Sequence, residues 1–587
     1  MTPTKKSVAR KTNRKTKAAT KSNTSVVTES VASVSAPNVE PIPVVVPEAG
    51  PSAASESTIH QRSNKLLILA LILGWTLDFL FWKQAVGVNF TLFISLCLLG
   101  GFYWLFSNGL RPAQKALWLL VPIVFFVVIT FLRQEPLTIF LAYTFTLFSA
   151  GLLANTLIGG HWIQYGLLDY FNKFLQLLGN MIVGSMYFIS DVRKDQANRE
   201  KPKNSFPVWP LLRGLVIALP IVVCFATLLA SGDVVFNQKL GDFFDLFDSA
   251  KISEYIFRGI LILLYAYLLG GALLHATSKS RDEKLIGEGN PVIKPFLGFT
   301  ESTVVLGSVS ILFLVFVIIQ FQYFFGGQTN IGVTGYTYSQ YARRGFNELI
   351  TVAFFSLVMI LGLSTLTRRE NDTQRRVYSA LSVAVVALVM VILVSAYQRI
   401  SLGIDWHGFS RYRLYPRVFL IWLGILLVAV AALEIFQRER YFAFAAVLAS
   451  LGFAVSLTLV NVDAATVKHN VFRAWHGRNL NVPHLASLSA DAVPALADEF
   501  FASSLPTATR EGVGAILLCY MQSDLSKPPE NWRSFNLSRW RAFEALNKVR
   551  PHVEGYSVND KQWPVRVRTP GNVLYECWDG RPFYNED

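Results

Sequence analysis

The stretch Ser401–Arg417 reads Ser-Leu-Gly-Ile-Asp-Trp-His-Gly-Phe-Ser-Arg-Tyr-Arg-Leu-Tyr-Pro-Arg and lies between two long apolar runs. A guanidinium is a rigid fork that matches a phosphate or carboxylate two oxygens at a time, and tyrosines beside it supply hydroxyls and apolar area. With Arg399 just before it, the stretch offers Arg399, Asp405, His407, Arg411, Arg413 and Arg417. Two other segments have the same character. Tyr336–Phe346 carries Arg343 and Arg344 and leads into an apolar run containing Glu348, and Asn461–Asn470 carries Asp463. Together they suit an anionic lipid headgroup, an envelope polymer or a protein partner. The competing reading is structural: the arginines snorkel and pair with Glu348, Asp405 and Asp463 as a clasp.

Other chemistry-bearing residues are sparse. Asp78, in Leu-Gly-Trp-Thr-Leu-Asp-Phe-Leu, is the clearest acid inside an apolar run. Such residues mark ion or proton paths, or reach water when they lie near a helix end. Glu434 precedes Arg438 by four residues, the spacing of a local helical pair. Gln320 and Gln322 suit bonds between neighbouring helices. His407, His469, His476 and His484 do not share a metal-ligand spacing, so no metal site is expected. The sequence contains no GxxxxGK[ST], HExxH or GxSxG string, and Gly326–Gly335 ends without the lysine of a phosphate loop. No cofactor follows from the sequence, and an enzyme is not the leading expectation. Of four cysteines, Cys97 and Cys224 fall in apolar runs. Cys519 and Cys577 fall in the polar C-terminal part and are expected to form a disulfide if that part is outside the cell.

These residues need a membrane scaffold. The chain has 587 residues, 52% hydrophobic and 16% charged, with a mean hydropathy of +0.39. Apolar runs of about 20 residues match a hydrocarbon core of about 30 Å. They lie at roughly 66–82, 88–107, 116–133, 137–158, 211–231, 255–275, 303–325, 346–366, 377–397, 415–436 and 441–460, about 11 helices. The fold class is therefore membrane all-α: a polytopic bundle over 61–460 with a small C-terminal α+β extramembrane domain over 461–587. Residues 1–60 form a basic, Pro-rich, disordered tail with no cleavable signal behind it. The net charge of +15 sits largely in this tail and in short loops, which fits membrane orientation rather than nucleic-acid binding.

Orientation follows from the loops. With the tail inside, the inner connections carry Arg111 and Lys115; Arg193, Lys194, Arg199, Lys201 and Lys203; Lys279, Arg281 and Lys284; Arg368, Arg369, Arg375 and Arg376; and Arg438 and Arg440. The outer segment 232–254 carries Asp233, Asp242, Asp245, Asp248 and Glu254 instead. Segment 162–190 is read as an amphipathic helix on the inner surface, with Asp169 and Lys173 as a pair on its wet face. An odd number of spans then places the C-terminal domain outside, where arginine-dense loops are not expected. Within that domain, Ser489, Thr507 or Thr509, and Asn536 are helix caps, and Thr569-Pro-Gly-Asn572 is a hairpin turn.

Several strings carry a family likeness together: Tyr338-Ser-Gln-Tyr-Ala-Arg-Arg-Gly-Phe346, Gly408-Phe-Ser-Arg-Tyr-Arg-Leu-Tyr415, Asn461-Val-Asp463 with Asn470, His484-Leu-Ala-Ser-Leu-Ser-Ala-Asp-Ala-Val-Pro-Ala-Leu496 and Trp532-Arg-Ser-Phe-Asn-Leu-Ser538. Over roughly residues 65–550 the chain resembles an uncharacterised family of bacterial multi-pass membrane proteins, a domain of unknown function. It departs at Trp406-His407-Gly408-Phe409, where a Tyr-Gly-Leu-Thr-like string is expected, so no role there rests on a hydroxyl. The resemblance implies an architecture and no activity. The expected function is that of a binding or envelope-associated protein of the bacterial cytoplasmic membrane. The alternatives are a secondary transporter coupled at Asp78 and a lipid-linked transferase using Asp405 and Asp463.

Overall fold

A computed structural model describes residues 53–197, 249–281, 294–325, 346–528, 531–559 and 565–577, with a few single positions between them. The side chains at 53–63, 187–197, 249–252, 321–325, 346–347, 402 and 405–407 are outside this description. The long helices are α1 (Ala53–Phe81), α2 (Val88–Ser107), α3 (Gln114–Leu117) running into α4 (Leu120–Leu132), α5 (Pro136–Thr156), α6 (Leu167–Ala197), α7 (Ser249–Ser278), α8 (Phe299–Phe325), α9 (Phe346–Leu366), α10 (Asp372–His407), α11 (Arg411–Ile435) and α12 (Phe442–Val460). Among the described residues, ten helices are long and apolar enough to cross a membrane. They match ten of the eleven expected runs. The remaining run, 211–231, lies outside the described residues. Helix α1 starts at Ala53, so the end of the expected disordered tail is helical. Ala53, Ala54 and Glu56 are good helix formers that extend the span behind them.

The bundle has two packed groups. Helices α1, α2, α4, α5 and α7 share a core around Leu105, Ile123, Leu152 and Tyr165. Helices α8–α11 share another around Ala353, Val385, Val389 and Leu427. Helix α12 joins them, packing Ala454 against Phe126 and Ala142 and Leu457 against Leu414 and Val418. The outward shell is apolar too: Ile68, Val121, Ile311 and Leu312 are each more than half exposed. Such a shell is costly in water and expected in lipid. The chain is a multi-pass membrane protein.

Helix α6 lies antiparallel along α7. Asp169 accepts from the Ile286 N–H at 2.8 Å, and Ser185 Oγ donates to the Tyr267 carbonyl at 2.7 Å. Its outward face is the apolar stripe Leu168, Phe171, Leu175, Leu178, Ile182 and Met186. Asp169 is not on a wet face. It is 4% exposed, and its other oxygen accepts from the Gly166 N–H at 2.8 Å, so it caps α6.

The C-terminal domain follows α12 without a loop. Asn461 adopts φ +48°, a left-handed residue that ends α12 and caps α13 (Val462–Trp475). Residues 462–470, for which the sequence suggests no secondary structure, are therefore helical. Val462, Thr466, Val467, Val471 and Ala474 recur at helical spacing and are buried. Next come α14 (Val482–Ala486), α15 (Val493–Phe501), α16 (Thr507–Met521) and α17 (Leu537–Val549), then β1 (Ser557–Asn559), β2 (Arg566–Arg568) and β3 (Leu574–Glu576) in an antiparallel sheet of order β1-β2-β3. Ser489 caps the turn into α15, and Asn536 caps α17. The residue preceding α16 is Pro506, not a threonine, and no side chain caps that helix. The turn between β2 and β3 is Thr569–Asn572, with Asn572 at φ +61°. Cys519 and Cys577 are joined across 58 residues with Cα atoms 5.6 Å apart, tying the end of α16 to the sheet. Residues 57–587 form one unit.

Candidate functional site

The ends of α8, α10 and α12 that lead into the three polar segments, two of them arginine-bearing, lie together, at the end of the bundle that carries the C-terminal domain. Arg399 of α10 donates to Gln320 of α8 at 3.1 Å, and Asn470 of α13 holds both backbone groups of Phe409 at 3.0 and 2.8 Å. The opposite end gathers Arg111, Lys115, Lys279, Arg281, Arg368, Arg369, Arg375, Arg376, Arg438 and Arg440 at helix ends and short connections.

Helix α10 ends at Gly408, with φ +84° and its N–H on the Ile404 carbonyl. A Cβ there would lie 2.2 Å from Asn470 Oδ1, so only glycine allows the chain to turn this close beneath α13. Three residues on, Arg411 places its fork on Asp463: Nε donates to Oδ1 at 2.7 Å and Nη2 to Oδ2 at 2.5 Å. Asp463 is fully buried and also accepts from the Ser489 N–H at 2.8 Å and the Ser489 hydroxyl at 2.6 Å. All four donors converge on one carboxylate, which meets the condition under which a buried ion pair is sustained.

A second junction stands beside it. Glu135 caps α5, accepting from the N–H groups of Leu137 and Thr138 at 3.0 and 2.7 Å and from the Thr138 hydroxyl at 2.6 Å. Tyr415 Oη donates to the same carboxylate. Asp491, from the domain, accepts from the N–H groups of Gln134 and Glu135 at 2.8 and 2.9 Å. The orphan donors at the start of α5 are thus satisfied partly by its own side chain and partly by the docked domain. Burial pushes the Asp491 carboxyl above its ordinary value, opposed by these two backbone N–H groups and by the nearby charge of Arg133. Further ties cross the seam. Arg533 Nη1 donates to the Phe79 carbonyl at 2.6 Å, the Val88 N–H to the Phe535 carbonyl at 2.9 Å, and Asn536 Nδ2 to the Arg133 carbonyl at 3.2 Å.

The other arginines of the cluster also meet their own chain. Arg413 Nη1 donates to the Gly408 carbonyl at 2.7 Å. Arg417 Nε donates to Tyr397 Oη at 2.7 Å with its guanidinium 4.9 Å from that ring. Arg343 and Arg344 lie outside the described residues, as do the side chains of Asp405 and His407 in the last turn of α10. Glu348 lies in the first turn of α9 and is exposed. The sequence reading did not single out Glu135, Ser489, Asp491 or Tyr415 as a set, although Glu135-Pro136 and Ser489-Ala-Asp491 are legible helix starts.

Asp78 is 3% exposed, and its Oδ2 accepts from Arg258 Nε and Nη2 of α7 at 3.0 and 2.6 Å. One turn on, Glu254 accepts from Trp82 Nε1 at 2.6 Å and Lys83 Nζ at 2.8 Å. Glu434 does not pair with Arg438. Its carboxylate accepts from Arg369 at 2.7 Å and from Ser364 and Ser379 at 3.2 Å each, while Arg369 stacks 4.0 Å from the Tyr378 ring. The connection between α9 and α10 brings a better-aligned cation than the local turn does.

Comparison with curated proteins and with solved structures gives no match. A family model, the domain of unknown function DUF4153, matches residues 120–499, from the start of α4 to within α15, and therefore includes Glu135, Arg411, Asp463, Ser489 and Asp491. The chain belongs to the DUF4153 family.

Proposed function

We propose that this is a non-catalytic protein of a bacterial cytoplasmic membrane that holds its C-terminal domain as a fixed platform on the outer face, where an anionic lipid headgroup, an envelope polymer or a partner protein binds. The observation that carries the reading is the seam itself. Arg411, Asp463, Ser489, Glu135 and Asp491 join two parts of the chain through hydrogen-bonded side chains in a seam that holds a buried ion pair. A catalytic site needs a carboxylate or nucleophile that faces an open space, and these face each other. The arginine cluster serves as the clasp, and the ligand surface lies elsewhere on the platform.

Sidedness is supported by the basic residues collected at the end opposite the domain, as the positive-inside rule requires of a cytosolic end. The pairing of Cys519 with Cys577 suits an oxidising compartment. The transporter reading draws no comparable support, since Asp78 is bonded to Arg258. The test is thiol labelling in intact cells. A membrane-impermeant maleimide applied after reduction with an impermeant phosphine should label Cys519 and Cys577. Labelling of both only after the inner membrane is opened, without any reductant, would end the outer-face reading.

A further inference from the structure

A polar cleft of about 500 Å³ lies on the seam, between the α1–α2 turn and the domain. Its charged lining is Lys83, Lys527 and Arg539 against the single carboxylate of Asp524. Asn531 and Asn536 supply neutral amides around them. The volume is that of a small-ligand site. Two of the cations are loosely held. Lys527 bonds Asp524 at 2.9 Å, but the two side chains are 67% and 80% exposed, and such a surface pair contributes little. Lys83 reaches Glu254 at 2.8 Å with 67% of its own side chain exposed. Its backbone is at φ +52°, a left-handed conformation that a lysine adopts at a cost and that turns the chain at the cleft. Arg539, half-buried in the first turn of α17, has no ion-pair partner within 4 Å among the described residues. A guanidinium in a partly enclosed cleft without a bonded carboxylate is placed for an anion from outside the chain.

We propose that this cleft binds the phosphate group of an anionic ligand, with Arg539 as its fork and Lys83 and Lys527 at its rim. Lys83 directly follows Trp82 at the membrane end of α1, where aromatic and basic side chains meet headgroups. The ligand class is thus a phosphate monoester or diester presented at the membrane surface, either a lipid headgroup or a phosphate-bearing soluble molecule. The inference deepens the platform reading by naming its site, and rests on that reading only for which compartment supplies the ligand.

The test uses the full-length protein in neutral detergent, titrated with short-chain phosphatidylglycerol, short-chain phosphatidylcholine and inorganic phosphate. Phosphatidylglycerol should bind more tightly than phosphatidylcholine. Arg539→Gln should weaken it about tenfold, the effect of losing one charge-assisted contact, and Arg539→Lys should restore part of the loss. Competition by millimolar inorganic phosphate assigns the cleft to phosphate generally, and lack of competition assigns it to the lipid headgroup; both support the proposal. Equal affinity of the wild type and Arg539→Gln, or no preference for phosphatidylglycerol, overturns it. If Arg539→Gln does not fold, Lys527→Gln at its exposed position carries the same criterion with an expected several-fold loss. The assay has no sidedness, so its failure counts against the cleft alone, whereas cytosolic thiol labelling counts against the platform alone.

Discussion

Replacing Arg411 by methionine keeps most of the side-chain length and removes the charge. Asp463 then retains only the two donors of Ser489, and its carboxylate stays fully buried. Breaking one side of a buried pair in this way costs about 3–5 kcal/mol. The double replacement Arg411→Met with Asp463→Leu removes both charges and leaves Ser489 as the unsatisfied group, a cost of about 1–3 kcal/mol. The double variant should therefore be more stable than Arg411→Met alone, with a coupling of about 2 kcal/mol or more. A melting temperature is the wrong measure for a chain of this kind, because unfolding need not be two-state. Hydrogen exchange in detergent reports local opening instead. The amides of α13 and of residues 489–501 should lose protection in Arg411→Met while those of α8–α9 keep theirs. A single-variant effect below about 0.5 kcal/mol, or a coupling near zero, would show that the pair does not hold the domain and would refute the clasp.

Gly408→Ala forces a side chain onto a backbone at φ +84° and against Asn470, so the α10–α11 turn should lose about 1–3 kcal/mol, read as faster exchange of the Phe409 amide; unchanged exchange would count against the close approach. Removing the disulfide with Cys519→Ser and Cys577→Ser frees a closed loop of 58 residues, which on the chain-entropy estimate lowers domain stability by about 4 kcal/mol; pulse proteolysis should show it, and equal resistance would refute it. Burial holds the His484 imidazole below its ordinary value of 6.5, so the unfolded chain takes up that proton first. The stability it contributes is present above pH 6.5 and falls as the medium is acidified below it. His484→Asn should flatten that slope in domain proteolysis, and an unchanged slope would exclude His484 as the cause. A fluorophore at Ile182, on the outward apolar stripe of α6, should be quenched by a lipid-soluble agent; quenching from water alone would mean that the stripe does not face lipid.

The spans were legible because twenty-residue apolar runs have few alternatives in a chain this hydrophobic. The errors came where a local rule met a tertiary one. Glu434 and Arg438 have helical spacing, but Arg369 of the adjoining connection reaches the buried carboxylate instead. Asp169 and Lys173 have the same spacing, yet Asp169 is used by backbone N–H groups. Helix α13 was hidden because a left-handed asparagine lets one helix follow another without a gap, so no break announces its start. Among the seam residues, Arg411 and Asp463 were legible as charges near a membrane surface. Glu135 and Asp491 are 356 residues apart, and no pattern in either neighbourhood names the other.

The arginine density between residues 399 and 417 conflicts with the positive-inside rule only if each arginine counts as a free positive charge. The rule concerns basic residues of short loops that face water. Arg411 is cancelled by Asp463 inside the protein. Arg413 bonds the Gly408 carbonyl just past the end of α10, where the helix dipole favours a cation. Arg399 and Arg417 lie along the spans against Gln320 and Tyr397. Of these four arginines Arg411 alone is shown paired with an acid, and that one follows from the docking of the domain; the other three keep their charge and are held in place by neutral acceptors. A domain docked on these helix ends brings Asp463 and Asp491 beside Glu135 in a dry seam, and at least one of those carboxylates requires a fixed cation. Removing the domain should then be worse than neutral for the bundle. A chain truncated after residue 460 would leave Arg411 without Asp463, and its expression in the membrane should recover on Arg411→Met. Full expression of the truncated chain with Arg411 intact would break the link between the loop's charge and the domain it holds.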